Sequence, residues 1–133
     1  MITFTITGNV GRDPEVRVTK DGLTYCRFSV AHTPRRKRED GEWEDAGETV
    51  WAAVTVFGSK GEAAAESLSK GDKVHVVARR VSVRGYVTKD PAQPGASLDV
   101  IADDVFSAIR APGNRRHDER QPVADSWNGE PPF

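Results

Sequence analysis

Residues 50–57, Val50-Trp51-Ala52-Ala53-Val54-Thr55-Val56-Phe57, constrain the fold more than any other stretch of the chain. Successive side chains of an extended strand point to opposite faces. Val50, Ala52, Val54 and Val56 therefore share one face, the apolar stripe a core needs. Trp51 and Phe57 fall on the other face, separated by the small Ala53 and Thr55. Two arrangements accommodate this. Either the sheet is covered on both sides and both rings are core, or the aromatic face is open. An open face serves as a protein interface or as a surface on which flat ligands such as nucleic-acid bases stack.

The flanking segments read mostly as strands. Ile2, Phe4 and Ile6 alternate with Thr3, Thr5 and Thr7 up to Gly8-Asn9. Gly11-Arg12-Asp13-Pro14 and Asp21-Gly22 are turn signals. Between residues 24 and 32, Cys26, Phe28 and Val30 are expected inward, with Tyr25, Arg27, Ser29 and Ala31 outward. Residues 34–47 lack apolar periodicity and carry Pro34, Gly41 and Gly47, so a long charged hairpin loop is expected. After Gly58, Ser59 and Glu62 fit a capping box. Ala64, Ala65 and Leu68 form one apolar face of a short helix, with Gly71 as its stop. Val74, Val76 and Ala78 then alternate with His75, Val77 and Arg79. The phase slips to Val81 and Val83, which predicts a bulge near Arg79-Arg80. A turn through Asp90-Pro91 leads to a last strand with Leu98, Val100 and Ala102. That strand continues through Val105, Phe106 and Ile109 after a second phase change at Asp103-Asp104.

Three strands, one helix and two strands joined by a hairpin predict an all-β fold. The arrangement is a five-stranded OB-type Greek-key barrel, with one short helix between strands three and four. An SH3-like barrel is the structural rival, and the helix after the third strand favours OB. The domain is expected over residues 1–110. Residues 111–133, dominated by Pro, Gly, Asn, Arg and Asp, are expected to form a disordered tail.

Catalysis finds little support. A single cysteine, Cys26, excludes an internal disulfide and a cysteine zinc cluster. It suits a reducing cytoplasm, and its phase with Phe28 and Val30 marks a buried structural thiol. His32, His75 and His117 lie in no metal-binding spacing. No nucleophile elbow or Gly-rich phosphate loop occurs, which counts against a nuclease or helicase. No enzyme activity, cofactor or metal is expected. No signal peptide or membrane-length apolar run is visible either, so the expected location is cytoplasmic, with the nucleoid.

The net charge is -1, yet the charges are blocked rather than mixed. Residues 1–110 hold 16 Lys/Arg and 16 Asp/Glu. Within them Arg35-Arg36-Lys37-Arg38 precedes Glu39, Asp40, Glu42, Glu44, Asp45 and Glu48. That basic run, with Arg79, Arg80 and Arg84, is a candidate track for phosphates, and Trp51, Phe57 and Tyr86 are candidate stacking platforms. The plainer alternatives are a solvated loop neutralised by its own acidic return strand and, for Tyr86, an exposed hairpin residue. No helix suited to groove reading is apparent, so sequence-specific binding is not expected.

Gly8-Asn9-Val10-Gly11-Arg12-Asp13-Pro14-Glu15-Val16-Arg17 closely resembles the first-strand signature of bacterial single-stranded DNA-binding proteins. Phe28-Ser29-Val30-Ala31, the Thr49-Val50-Trp51 to Val56-Phe57-Gly58 segment and Lys70-Gly71-Asp72-Lys73-Val74 resemble further family motifs in the same order, across about residues 2–109. The resemblance implies an OB domain that assembles as a homotetramer and wraps single-stranded DNA, with Trp51 and Phe57 at base-stacking positions. The family usually has further tryptophans near Arg35-Arg36 and near Gly85-Tyr86. Here the first is absent and the second is at best a tyrosine, so phosphate attraction is expected to carry more of the affinity. Family members also end in an acidic tip closing in Pro-Phe that docks replication and repair proteins. Here that tip reads Asp125, Glu130, Pro131, Pro132 and Phe133, with a thinned acidic cluster, a short linker and weaker recruitment as the expectation. A secondary paralogue is consistent with such a tail. The alternative from another class is an OB interaction accessory of the replication or primosome machinery, with Trp51 and Phe57 buried at a protein interface.

Overall fold

The computed structural model describes residues 1–109. Strand β1 (Phe4–Val10) carries the expected alternation and turns Ile6, Gly8 and Val10 inward. β2 (Glu15–Val18) is a short exposed strand. The next turn is closed by the Gly22 N–H donating to the Thr19 carbonyl at 3.0 Å, with Gly22 at φ 86°. That positive φ suits the glycine of the Asp-Gly signal. β3 (Thr24–His32) buries Cys26, Phe28 and Val30, as its periodicity requires.

The charged segment after β3 is more ordered than a loop. β4 (Arg35–Lys37) and β5 (Trp43–Asp45) pair as a separate two-stranded ribbon. No apolar alternation announces these strands, because neither packs a face on the core. β6 (Val50–Phe57) follows, then helix α1 (Gly58–Ser67), β7 (Lys73–Val87) and β8 (Pro94–Ser107).

The main sheet has six strands rather than five, because β2 forms a strand of its own beside β3. The strands run β1-β7-β8-β6-β3-β2, and β1 also pairs with β3 through Asn9↔Ala31 and Val10↔Val30. β6 and β8 are parallel, and the other main-sheet pairs are antiparallel. The core gathers the inward valines of every long strand: Val10, Val30, Val54, Val74, Val76 and Val100 are at most 2% exposed. Each such side chain contributes about 1.5–3 kcal/mol relative to leaving it in water.

Both predicted phase changes are one irregularity seen from two sides. In the β7–β8 ladder the register shifts between Val77 and Ala78 and again between Ala78 and Arg80. Arg79 is skipped on one strand and Asp103 on the other. The alternation thus reverses on both strands while pairing continues.

Other expectations fail locally. The capping box does not form: Phe57 is the N-cap of α1, and no side chain caps the helix. The chain enters the helix two residues earlier than a Ser59 cap requires, through Gly58 at φ 73°. Gly71 does not stop the helix, which ends at Ser67. Gly71 instead takes the positive-φ corner of a turn in which the Asp72 N–H donates to the Ser69 carbonyl at 3.0 Å. Val50 and Val83, expected inward, are exposed where β6 and β7 run beyond the core. Phe106 lies on the outer face opposite His75, and Ile109 falls past the end of β8 rather than continuing it.

Candidate nucleic-acid interface

The outer face of the sheet can be laid out in rows from the strand register. Phe57 lies opposite Tyr25, and Tyr25 opposite Arg17. The next row crosses five strands as Glu15, Arg27, Thr55, Ile101 and Arg80. Ser29, Ala53, Asp99 and Ser82 form the row after that, and Ala31 beside Trp51 lies beyond it. At the far end Arg84 pairs with Ser97 and Tyr86 with Gly95. The Tyr86 ring lies over Gly95, where a Cβ would come within 2.6 Å of it.

Trp51, Phe57 and Tyr86 are 44%, 41% and 45% exposed, so none is sealed in the core. The arrangement with both β6 rings buried inside a doubly covered sheet is excluded for this chain. The Phe57 and Tyr25 rings lie 5.9 Å apart at 50°, a tilted aromatic pair. The small residues between Trp51 and Phe57 leave a shallow trough rather than a ridge.

Electrostatics divide the predicted cations into two groups. On the ribbon, Arg36 Nε donates to Glu44 Oε1 at 2.7 Å, Arg38 meets Asp40 at 3.3 Å, and Arg35 lies 3.7 Å from Asp45. Three of the four residues in the basic run are thus answered by its own acidic return. Lys37 has no ion-pair partner among the described residues and lies opposite Trp43. Arg84 is held by Asp99 at 2.7 Å, while the second Asp99 oxygen, Oδ1, is buried without a hydrogen-bond partner among the described residues. Arg79 and Arg80 are exposed and form no ion pair among those residues. Surface pairs of this kind contribute only about 0–1 kcal/mol and exchange partners readily.

Several residues suited to this face were not singled out by sequence reasoning. Tyr25 and Arg27 were placed outward, but nothing local joined them to Phe57. Trp43, 59% exposed, puts an indole on the ribbon's return strand. Acidic neighbours masked it in the sequence. Arg12 comes from the turn after β1 and stands near Glu15, whose carboxyl is held below its ordinary range mainly by the hydrogen bond from Arg17. The tip residues Asp125, Glu130, Pro131, Pro132 and Phe133 lie outside the described residues. Among the described residues no cluster of His, Cys, Asp or Glu could hold a metal ion, and no helix is long and apolar enough to cross a membrane.

A small β-sheet domain that shows aromatic rings and arginines on one open face carries the two kinds of group that unstacked bases and phosphates require. Residues 1–107 match the family described as "Single-strand binding protein family", and the chain belongs to that family. It is 36% identical over 109 residues to the single-stranded DNA-binding protein of Paenarthrobacter aurescens, covering 81% of this chain and 62% of that protein. Against the Corynebacterium glutamicum protein of the same name, identity is 39% over 107 residues, covering 80% and 46%. The chain therefore spans roughly half to three fifths of these relatives' length. Among solved structures it is similar to the small single-stranded DNA-binding protein from Streptomyces coelicolor, with a TM-score of 0.68, 30% identity, and 81% and 94% of the two chains covered. The fold is also that of a Plasmodium falciparum protein solved with single-stranded DNA, at a TM-score of 0.58 and 21% identity over 82% and 96%. The family is one of non-enzymatic DNA-binding proteins.

Proposed function

We propose that this chain binds single-stranded DNA without regard to sequence, coating exposed strands during replication, recombination and repair. The observation that carries this reading is the placement of Trp51 and Phe57, both about two-fifths exposed on one face of β6. Each offers a ring to an unstacked base, worth about 1–3 kcal/mol per base. Tyr86 adds a third ring beyond Arg84. Phosphates meet Arg79, Arg80 and Lys37 directly. Arg35, Arg36, Arg38 and Arg84 must first exchange a carboxylate, so they contribute less than their number suggests. The relatives' names and the family membership support the same reading.

The finer features follow from it. The return of β1 onto β3 supports a closed Greek-key OB barrel over residues 1–110, with 111–133 as a separate tail. A homotetramer, a cytoplasmic nucleoid-associated location and docking of replication and repair proteins through Asp125, Glu130, Pro131, Pro132 and Phe133 complete the proposal. The test is a titration with dT oligomers across salt, read by tryptophan fluorescence and by light-scattering mass. Quenching on binding, absent in Trp51→Phe, supports the reading. A silent Trp51 together with a dissociated assembly in Trp51→Ala would make the ring part of a protein interface instead.

A further inference from the structure

We infer that Arg12, Arg27 and Ser29 form a cradle for a phosphodiester, walled by Tyr25 as an additional stacking ring, between the two aromatic ends of β6. The inference rests on the single-strand-binding reading and assigns residues that the reading itself does not use. A hollow of about 240 Å³ opens on the outer face, lined by Arg12, Glu15, Arg17, Tyr25, Arg27 and Ser29 among others. Its charge is unbalanced. Arg17 is engaged with Glu15 at 2.8 Å, whereas Arg12 and Arg27 have no ion-pair partner among the described residues. Two uncommitted guanidiniums at one hollow favour an anion that offers two oxygens to a planar donor fork. Ser29 adds a hydroxyl on the same floor, next to the Gly11 backbone and the Trp51 ring.

Position selects the occupant. Trp51 and Phe57 stand six residues apart, about 20 Å along an extended strand. A strand that stacks bases on both must lay its connecting sugar-phosphates across the rows between them, which are Ser29–Ala53 and Arg27–Thr55. Those rows are small at Ala53 and Thr55 and cationic at Arg27. Tyr25, 5.9 Å from Phe57 and on the hollow's rim, then presents its ring to the base next to the cradled phosphate.

The test uses the full chain and long dT oligomers. Affinity for single strands falls with salt by a slope of about 0.7 per phosphate neutralised. Arg12→Gln with Arg27→Gln should lower the slope by about 1.4 while leaving the saturating Trp51 quench in place, and Arg12→Lys with Arg27→Lys should restore it. Tyr25→Leu should weaken binding on the order of ten-fold, with the slope unchanged. Lys60→Gln, on the helix, removes a charge away from this face and should leave the slope alone. If the double glutamine variant is poorly folded by circular dichroism, Arg27→Gln alone should lower the slope by about 0.7. A wild-type slope in the glutamine variants overturns the inference while single-strand binding stands. A wild-type chain that binds no dT at any salt removes the functional reading and this inference together.

Discussion

Gly11 lies directly against Trp51: a Cβ on Gly11 would stand 3.1 Å from Cζ3 of the indole and 2.5 Å from Ser29 Oγ. The turn after β1 thus sets the height at which the ring sits on β6, and this glycine is required by close approach rather than by backbone angle. Gly11→Ala should force the Ser29 hydroxyl to turn aside and nudge the indole by a few tenths of an ångström, at about 0.5–1.5 kcal/mol. The expected readout is several-fold weaker dT binding with a shifted emission maximum and a nearly unchanged urea midpoint.

Trp51→Ala tests the platform itself. The ring is 44% exposed, so its removal should cost little stability. It should cost about 1–3 kcal/mol of single-strand affinity, measured by anisotropy of a labelled dT oligomer at fixed salt. Unchanged affinity would remove Trp51 from the interface.

Asp99 holds Arg84 at 2.7 Å on the same outer face. Asp99→Asn should release that guanidinium and delete a negative charge beside the strand path. Binding should tighten at low salt, and the salt dependence should steepen by about 0.7 in slope. The gain should fade as salt screens it. Weaker low-salt binding would instead assign Asp99 a structural role.

Gly61 is the tightest point beneath α1. A Cβ there would run into the Val56 carbonyl oxygen and come to 3.0 Å from the Cys26 nitrogen. Both neighbours are backbone in paired strands and cannot step aside. Gly61→Ala should therefore destabilise by about 1–3 kcal/mol, read from the urea midpoint, despite its better helix propensity.

Cys26 is fully buried, and burial pushes its thiol pKa up. An unfolded thiol ionises at about 8.5, so above that pH the folded chain retains a proton that the unfolded chain loses. Stability from this group is complete below that pH and declines as pH rises through the folded value. Urea unfolding should show this alkaline decline in wild type and less of it in Cys26→Ala. A thiol reagent should label the native protein only at its rate of opening.

Much of the fold was legible because it is written in short periods. Alternation placed Cys26, Phe28 and Val30 inside. It put Trp51 and Phe57 on the face opposite the valines without deciding whether that face is open. Two phase slips marked the bulge shared by β7 and β8. The ribbon of β4 and β5 escaped notice because strands that pack on nothing need no alternation. The fourth-residue spacing of Ser59 and Glu62 misled for a related reason. It is compatible with a cap, but the strand feeds the helix through Gly58 before Ser59 can take that place.

The chain by itself determined which side chains share a face of each strand, since that follows from backbone geometry between near neighbours. Which of those faces meets water was decided by the fold. It also carried the family motifs along residues 1–107. Only the tertiary structure decided that Tyr25 meets Phe57, that Arg12 joins Arg27 at one hollow, and that three ribbon arginines already have acidic partners. Those meetings depend on strand register and on the folding back of turns. They therefore join residues whose separation along the chain bears no relation to their distance in space.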